Sequence, residues 1–382
     1  TVDLSVDAAV VITASHNPPE YNGFKICNGT LPMAGQELQE LKKTFDDNLF
    51  KQGNGVVKDF SHFEDQYLDT IVSNAGKPRR KMKIAIDCGN AVPGPLTIKL
   101  MEKLNVDLIP VHCDWDNNFP NHPPDPTRPE NMKDLAKAVV ENNAEFGIGM
   151  DGDGDRIGVV DQEGRFIHPD RLMTIFVKDI LGERKGGTES ERTVFYDVKC
   201  SMALEEAIYS SGGIPKMVRT GHSFMKRELK ENPDSPLAGE MSGHFFLNDR
   251  WPGFDDSLYN TARLLEIIAR EPSPEEGGPK FSDWFNDLPK YASTGEAKVP
   301  LTMNRIETMD SVERIFSDMK YSNVDGVRVS YPEGWFLCRP SNTEPILVMR
   351  AEANDEEGLV NIKQDVEERL GEIINLEKFH NA

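Results

Sequence analysis

The sequence predicts an α/β architecture of several units in series, followed by a compact α+β unit. From residue 84 to residue 270, short apolar β-branched runs alternate with helical stretches, the pattern of βαβ units around mixed sheets. After the Pro- and Gly-rich linker EPSPEEGGPK (271–280) the order changes to consecutive strands and then a helix. Length agrees, since 382 residues exceed one core and suggest roughly two to four domains.

Residues 10–12 (Val-Val-Ile) read as a buried strand that breaks at residues 13–19 (TASHNPP). The prolines stiffen this loop and present Ser15 at a strand end, where α/β proteins place their chemistry. Residues 24–27 offer a short strand. Residues 35–50 form an amphipathic helix with Leu38, Leu41, Phe45 and Leu49 on one face. Ser61 to Glu64 fits a capping box for a helix reaching residue 74, and the basic stretch 77–83 marks a boundary. Strand 84–87, helix 96–104 and strand 106–111 make a βαβ unit. A Pro-rich loop (119–129), a helix through 141 and strand 145–150 then lead into DGDGDR. Strand 157–161, helix 169–181, a polar connection 182–192, strand 194–198, helix 202–210, strand 217–219 and helix 257–270 make a third α/β unit. Strands 327–331, 335–338 and 346–351 and a C-terminal helix complete the chain. It has no internal repeat and no low-complexity tract.

Composition narrows the function. The net charge of -21 argues against nucleic acid or an anionic membrane as a partner, and no apolar run reaches a membrane span. The five scattered cysteines form no C-x-x-C pair, which fits reduced thiols in the cytoplasm.

Four loops carry chemistry. Ser15 is flanked by His16 and Lys25, which can stabilise an anionic group on its oxygen; a polar turn with a capping serine is the alternative. Asp151, Asp153 and Asp155 alternate with glycines, an all-oxygen set suited to Mg²⁺ or Ca²⁺. An EF-hand fails, because Arg156 and Gln162 stand where it needs Gly and Glu. Three carboxylates leave their shell unfilled, so a further oxygen must come from elsewhere. In residues 239–244 (GEMSGH), Glu240 and Ser242 can grip sugar hydroxyls, although these residues alone favour a loop cap beside a surface histidine. Arg339, Ser341, Asn342 and Thr343 offer a guanidinium fork and short donors for a phosphate, or a simple polar turn.

Together these loops, with DVKC (197–200) and TGHS (220–223), resemble in order the motifs of the α-D-phosphohexomutases, DGDGDR residue for residue, and most closely the bacterial phosphomannomutase/phosphoglucomutases. Met241 before Ser-Gly-His fits that branch, whereas glucosamine-specific relatives usually carry Gln there. The resemblance implies three similar mixed-sheet α/β domains and a smaller α+β domain around a central cleft, divided at 1-61, 62-165, 166-284 and 285-382. It implies a cytoplasmic, monomeric isomerase and phosphoprotein of carbohydrate metabolism that acts on small hexose phosphates. Phosphate would pass between O1 and O6 through phosphorylated Ser15 and a hexose 1,6-bisphosphate, with Mg²⁺ on Ser15, Asp151, Asp153 and Asp155. Arg156 would reach the phosphoryl group, His16, Lys25 and His244 would assist transfer, and Lys199 and His222 would help the clamp. Mannose and glucose phosphates would both serve as substrates. A metal-dependent phosphatase and a silent sugar-phosphate binder are the rival readings; the complete set of Ser15, acidic triplet and clamp disfavours the second. Since residues 1–61 supply few strands, the first domain is expected to be incomplete, an N-terminally truncated fragment with exposed apolar surface at residues 10–12.

Overall fold

The computed structural model describes residues 6–60, 63–184, 186–301, 304–341 and 344–382. Strands β1 (Ala8–Ile12), β2 (Phe24–Asn28) and β3 (Leu31–Pro32) form an antiparallel three-stranded sheet, followed by helix α1 (Gln36–Asp46). The strand read locally as buried is instead exposed, as the shortage of strands in residues 1–61 predicts. Among the described residues β1 pairs only with β2, and Val10, Val11 and Ile12 are 55%, 53% and 67% accessible. The expected helix 35–50 stops at Asp46, and its apolar face stays accessible at Leu38, Leu41 and Phe45. Both corrections have one cause: among the described residues of this region no apolar layer is present for either face to bury. The capping serine proposed at Ser61 lies outside the described residues.

Helix α2 (Phe63–Ala75) leads into the second unit, of β4 (Lys83–Asp87), α3 (Pro93–Leu104), β5 (Asp107–Val111), α4 (Lys133–Asn142), β6 (Phe146–Met150), β7 (Ile157–Val160) and β8 (Phe166–Ile167). Its strand order is β5-β4-β6-β7-β8, parallel across the first three and antiparallel after. The third unit runs through α5 (Pro169–Glu183), α6 (Glu189–Arg192), β9 (Thr193–Asp197), α7 (Met202–Ser210), β10 (Ile214–Val218), α8 (His222–Glu231), β11 (Leu237–Gly239), β12 (Phe245–Leu247) and α9 (Ser257–Ile268). Its order is β10-β9-β11-β12, again parallel with a final antiparallel strand. The polar connection 182–192 therefore holds a helical turn, capped by Thr188 and Glu191. Helix α8 escaped the sequence reading because its charged face outweighs its two buried residues, Met225 and Leu229.

In both units a reactive loop leaves the carboxyl end of the third parallel strand, DGDGDR after β6 and GEMSGH after β11. Open α/β sheets bind ligands at such ends. One continuous core joins the two units, and every residue of α9 is buried within it. Arg263, fully buried on α9, is matched by Asp179 (2.8 Å), Asp249 (2.9 Å) and Glu266 (3.1 Å). The linker at 271–280 is ordered by a Ser273–Glu276 capping box, and the following Phe281 ring stacks on Phe146 of the second unit.

The last unit has its own core under a sheet of β13 (Ala292–Ser293), β14 (Ala297–Pro300), β15 (Tyr321–Ser322), β16 (Val327–Ser330), β17 (Gly334–Pro340) and β18 (Ile346–Ala353). All its pairings are antiparallel, and helices α10 (Arg305–Ile315), α11 (Glu356–Leu370) and α12 (Glu377–His380) cover it. This is the expected α+β unit, with β13–β15 and α10 added to the elements read from the sequence.

Candidate active site

Ser15 sits in the left-handed region (φ 54°), a backbone state that non-glycine residues occupy only when held there. Thr13 Oγ1 accepts from its backbone N–H at 2.8 Å. The hydroxyl donates to Asp151 Oδ2 at 3.0 Å, and His16 Nδ1 lies 3.0 Å from Ser15 Oγ. With the serine proton given to Asp151, His16 donates from Nδ1. Burial, joined by Arg156, lowers the His16 pKa, so the ring is neutral near pH 7. A Cβ at residue 152 would stand 2.0 Å from the Ser15 carbonyl oxygen, so glycine is required where the serine and acidic loops cross.

Oxygens of Asp151, Asp153 and Asp155 lie within 4.8 Å of one another. Lys25 Nζ bridges two of them, 2.6 Å from Asp153 and 2.5 Å from Asp155. Burial opposes the charge on Lys25, but the two carboxylates more than offset it and hold the ammonium well above its usual range. Asp153 Oδ1 and Asp155 Oδ1 are buried without hydrogen-bond partners. Three hard oxygen donors, two of them with unpartnered oxygens, fit a divalent cation. Burial, then Asp155, pushes the Asp151 carboxyl up, the mark of a site short of positive charge.

Arg156 Nε donates to His244 Nε2 at 3.0 Å, which leaves Nδ1 of His244 facing Asp255 Oδ2 at 2.9 Å. His244 and His222 stack, with ring centres 5.5 Å apart. Their pKa values diverge. Burial would lower both, but Asp155 and Asp255 lift His244 above its usual value. For His222, burial is reinforced by Lys226 and His244, and the ring falls to about 4. Asp255 was missed in the sequence reading. It precedes the N-cap Asp256 of α9, and an acidic pair before a helix reads as capping alone.

The sugar loop closes on itself. Ser242 Oγ donates to Glu240 Oε2 (2.8 Å), and Gly221 N donates to Glu240 Oε1 (2.6 Å). Lys199 is buried at the end of β9, 2.8 Å from Glu296. Arg339 leaves β17 buried, its Nε on Asp325 at 2.7 Å and one terminal nitrogen unpartnered. Asp325 also accepts from Thr220 N (3.2 Å), which ties the clamp to the His222 loop. Ser341 Oγ accepts from Glu344 N (3.2 Å). Asn342 and Thr343 lie outside the described residues. The structure thus joins Ser15, His16, Lys25, the acidic triplet, Arg156 and His244 directly, and it places Glu240, Ser242 and His222 beside them. Lys199 and Arg339 enter from the third and last units.

A serine against an acidic cage, with buried cations nearby, is suited to phosphoryl chemistry. The chain matches, unit by unit, the family described as phosphoglucomutase/phosphomannomutase: domain I at residues 1–52, domain II at 65–164, domain III at 168–291 and the C-terminal domain at 296–369. It is 41% identical to a phosphomannomutase/phosphoglucomutase of Pseudomonas aeruginosa over 366 residues, covering 94% of this chain and 75% of the relative. A phosphoglucomutase of Neisseria meningitidis is 40% identical, covering 93% and 76%. A crystal structure of a phosphoglucomutase/phosphomannomutase family protein from Burkholderia thailandensis superposes with a TM-score of 0.86 at 40% identity, over 96% of this chain and 76% of that one. The chain belongs to the phosphoglucomutase/phosphomannomutase family and is an enzyme, a phosphohexomutase. Among the described residues no helix is long and apolar enough to cross a membrane.

Proposed function

We propose that this chain interconverts the 1- and 6-phosphates of mannose and glucose, with Ser15 as phosphoryl carrier and a hexose 1,6-bisphosphate as intermediate and activator. The observation that carries the reading is the 3.0 Å contact of Ser15 Oγ with Asp151, across 136 residues of chain. Phosphorylated Ser15 gives its phosphoryl group to the free hydroxyl of a bound monophosphate. The bond from phosphorus to the serine oxygen breaks, and the hydroxyl proton passes to a neighbouring base. The bisphosphate turns over and returns its other phosphoryl group to Ser15.

Ser15, Asp151, Asp153 and Asp155 would hold Mg²⁺, which neutralises charge on the transferring group when bound. Lys25 and Arg156, both held charged beside the triplet, bear on the same group. His16 orients the Ser15 oxygen through its Nδ1 proton. Glu240 and Ser242 grip ring hydroxyls, and His244, joined to both Arg156 and Asp255, is placed to move a proton to or from the sugar. Lys199, His222, Arg339 and Ser341, with Asn342 and Thr343, would hold the phosphate that is not transferred. In this reading the chain divides at 1-61, 62-165, 166-284 and 285-382, each part supplying one loop, and it works in the cytoplasm as a monomer.

The test is turnover of mannose 1-phosphate and glucose 1-phosphate with Mg²⁺ and a trace of hexose 1,6-bisphosphate. The 6-phosphates are expected without inorganic phosphate. Phosphate released in step with substrate loss would make the chain a phosphatase. A preference between the sugars above about a thousandfold in kcat/KM, roughly 4 kcal/mol, would overturn dual use.

A further inference from the structure

A second cluster of ligand-type side chains lies in the same unit, outside the acidic triplet. Asp87 ends β4, His112 follows β5, and His122 lies in the Pro-rich loop; one donor atom from each falls within 4.8 Å of the others. Strands β4 and β5 are parallel neighbours, with Asp87 opposite Val111, so their carboxyl ends bring Asp87 and His112 to one crevice.

The cluster is built rather than fortuitous. Asp87 is buried, and its Oδ1 accepts from Gly89 N at 2.8 Å, which leaves Oδ2 for the histidines. His122 Nε2 lies 3.0 Å from Oδ2, and its Nδ1 is 2.9 Å from the Pro123 carbonyl. His112 is held at φ 46°, with Nε2 2.9 Å from Asp134 Oδ2 on α4. Asn90 N donates to the His112 carbonyl (2.7 Å), and Asn121 Nδ2 donates to Asn90 Oδ1 (2.7 Å), which ties the three segments together.

Each imidazole thus has one nitrogen fixed on an oxygen acceptor, a carbonyl for His122 and a carboxylate for His112. This is the arrangement that orients metal-binding histidines. Both nitrogens of His122 face oxygens, a state satisfied by a second ring proton or by a cation between Nε2 and Asp87. Ligand atoms around a tetrahedral zinc stand about 3.3 Å apart, given bonds of about 2.0–2.1 Å. The 3.0 Å contact is a few tenths of an ångström from that spacing. The histidines are partly open to solvent, which leaves an entry path and room for a fourth ligand.

We propose that Asp87, His112 and His122 form a second metal site, of the zinc type, separate from the all-oxygen triplet. Two imidazoles and one carboxylate select zinc over magnesium, whereas the Asp151 triplet selects the reverse. The site bears on the reaction loop through Pro124, which lies beside the His122 ring over Gly89 and 3.3 Å from where a Cβ of residue 152 would stand. Its occupancy would clamp residues 121–124 against the loop that carries the acidic triplet.

The test is equilibrium dialysis of the whole chain against zinc in a large excess of Mg²⁺, with bound zinc measured per chain. Wild type and Asp153→Asn are expected to retain one equivalent, and His112→Asn to bind at least tenfold more weakly. Asparagine is the chosen replacement because it tolerates the left-handed backbone at this position. The proposal is overturned if wild type retains no zinc, if His112→Asn binds as tightly as wild type, or if Asp153→Asn loses it. Cobalt loading of wild type under the same excess of Mg²⁺ serves should His112→Asn fail to fold. The visible spectrum of a tetrahedral, nitrogen-ligated ion is expected, and a purely octahedral oxygen-ligated spectrum overturns the site.

Discussion

Two strands of this molecule end in reactive loops, and they are supported in opposite ways. β6, which delivers the acidic triplet, is buried at all five residues between parallel β4 and antiparallel β7. β1, which delivers Ser15, is exposed along most of its length and among the described residues has β2 as its one partner. The first region adds no residue to the hydrophobic clusters formed among the described residues. Polar contacts tie it to the rest: Ser15 to Asp151, Lys25 of β2 to Asp153 and Asp155, and Arg227 of α8 to Glu37 of α1 and to the Pro32 carbonyl of β3. The acidic loop is therefore set by its own core. The serine loop is set by the acidic loop.

Ser15→Ala breaks this comparison at its centre and has the largest expected effect. Turnover should fall by at least about a thousandfold, roughly 4 kcal/mol, while sugar-phosphate affinity stays within about tenfold. Retention of a tenth of wild-type turnover would show that another group carries the phosphoryl. Gly152→Ala comes next, because the new methyl group meets the Ser15 carbonyl. A displacement of about 1 Å at a reacting atom costs on the order of a hundredfold in kcat. Thermal melting of the second and third units should hardly move, since their core is untouched. A large loss of stability with kcat preserved in the folded fraction would contradict loop-to-loop positioning.

The same deletion made on each side sharpens the contrast. Val159→Ala, in a fully buried strand, should cost about 2–3 kcal/mol in urea denaturation, and Val11→Ala less than about 0.5. Equal costs would mean that β1 packs against apolar surface after all.

A smaller effect follows from the stacked histidines. His222 titrates near 4 in the folded chain, mainly because it is buried, and near 6.5 when unfolded. Between those values the unfolded state binds more protons, so stability falls as pH drops through that window. The loss should be on the order of 2 kcal/mol between pH 7 and pH 5. His222→Gln should flatten this part of the pH–stability curve, and an unchanged slope would remove His222 from the account.

What the chain states locally was legible because each signal is short-range. The prolines at 18 and 19 stiffen the Ser15 loop, alternating Asp and Gly announce a cation site, and alternating strands and helices give the α/β class. The pairing of β16 with β17 was legible for the same reason, through a hairpin turning at Pro332-Glu333-Gly334. The run Val10 to Ile12 reads locally as a buried strand, since it looks the same whether or not a layer lies over it; its exposure was legible only from the shortage of strands in residues 1–61. Asp255 and Lys226 were invisible for a related reason. Their meaning comes from His244 and His222, which the fold stacks beside them. The cluster of Asp87, His112 and His122 is spread over 35 residues with no motif spacing, and the parallel pairing of β4 and β5 assembles it. Local chemistry was written in residue types and intervals. The partners of each group, and hence its charge and exposure, were set by long-range packing that no single stretch encodes.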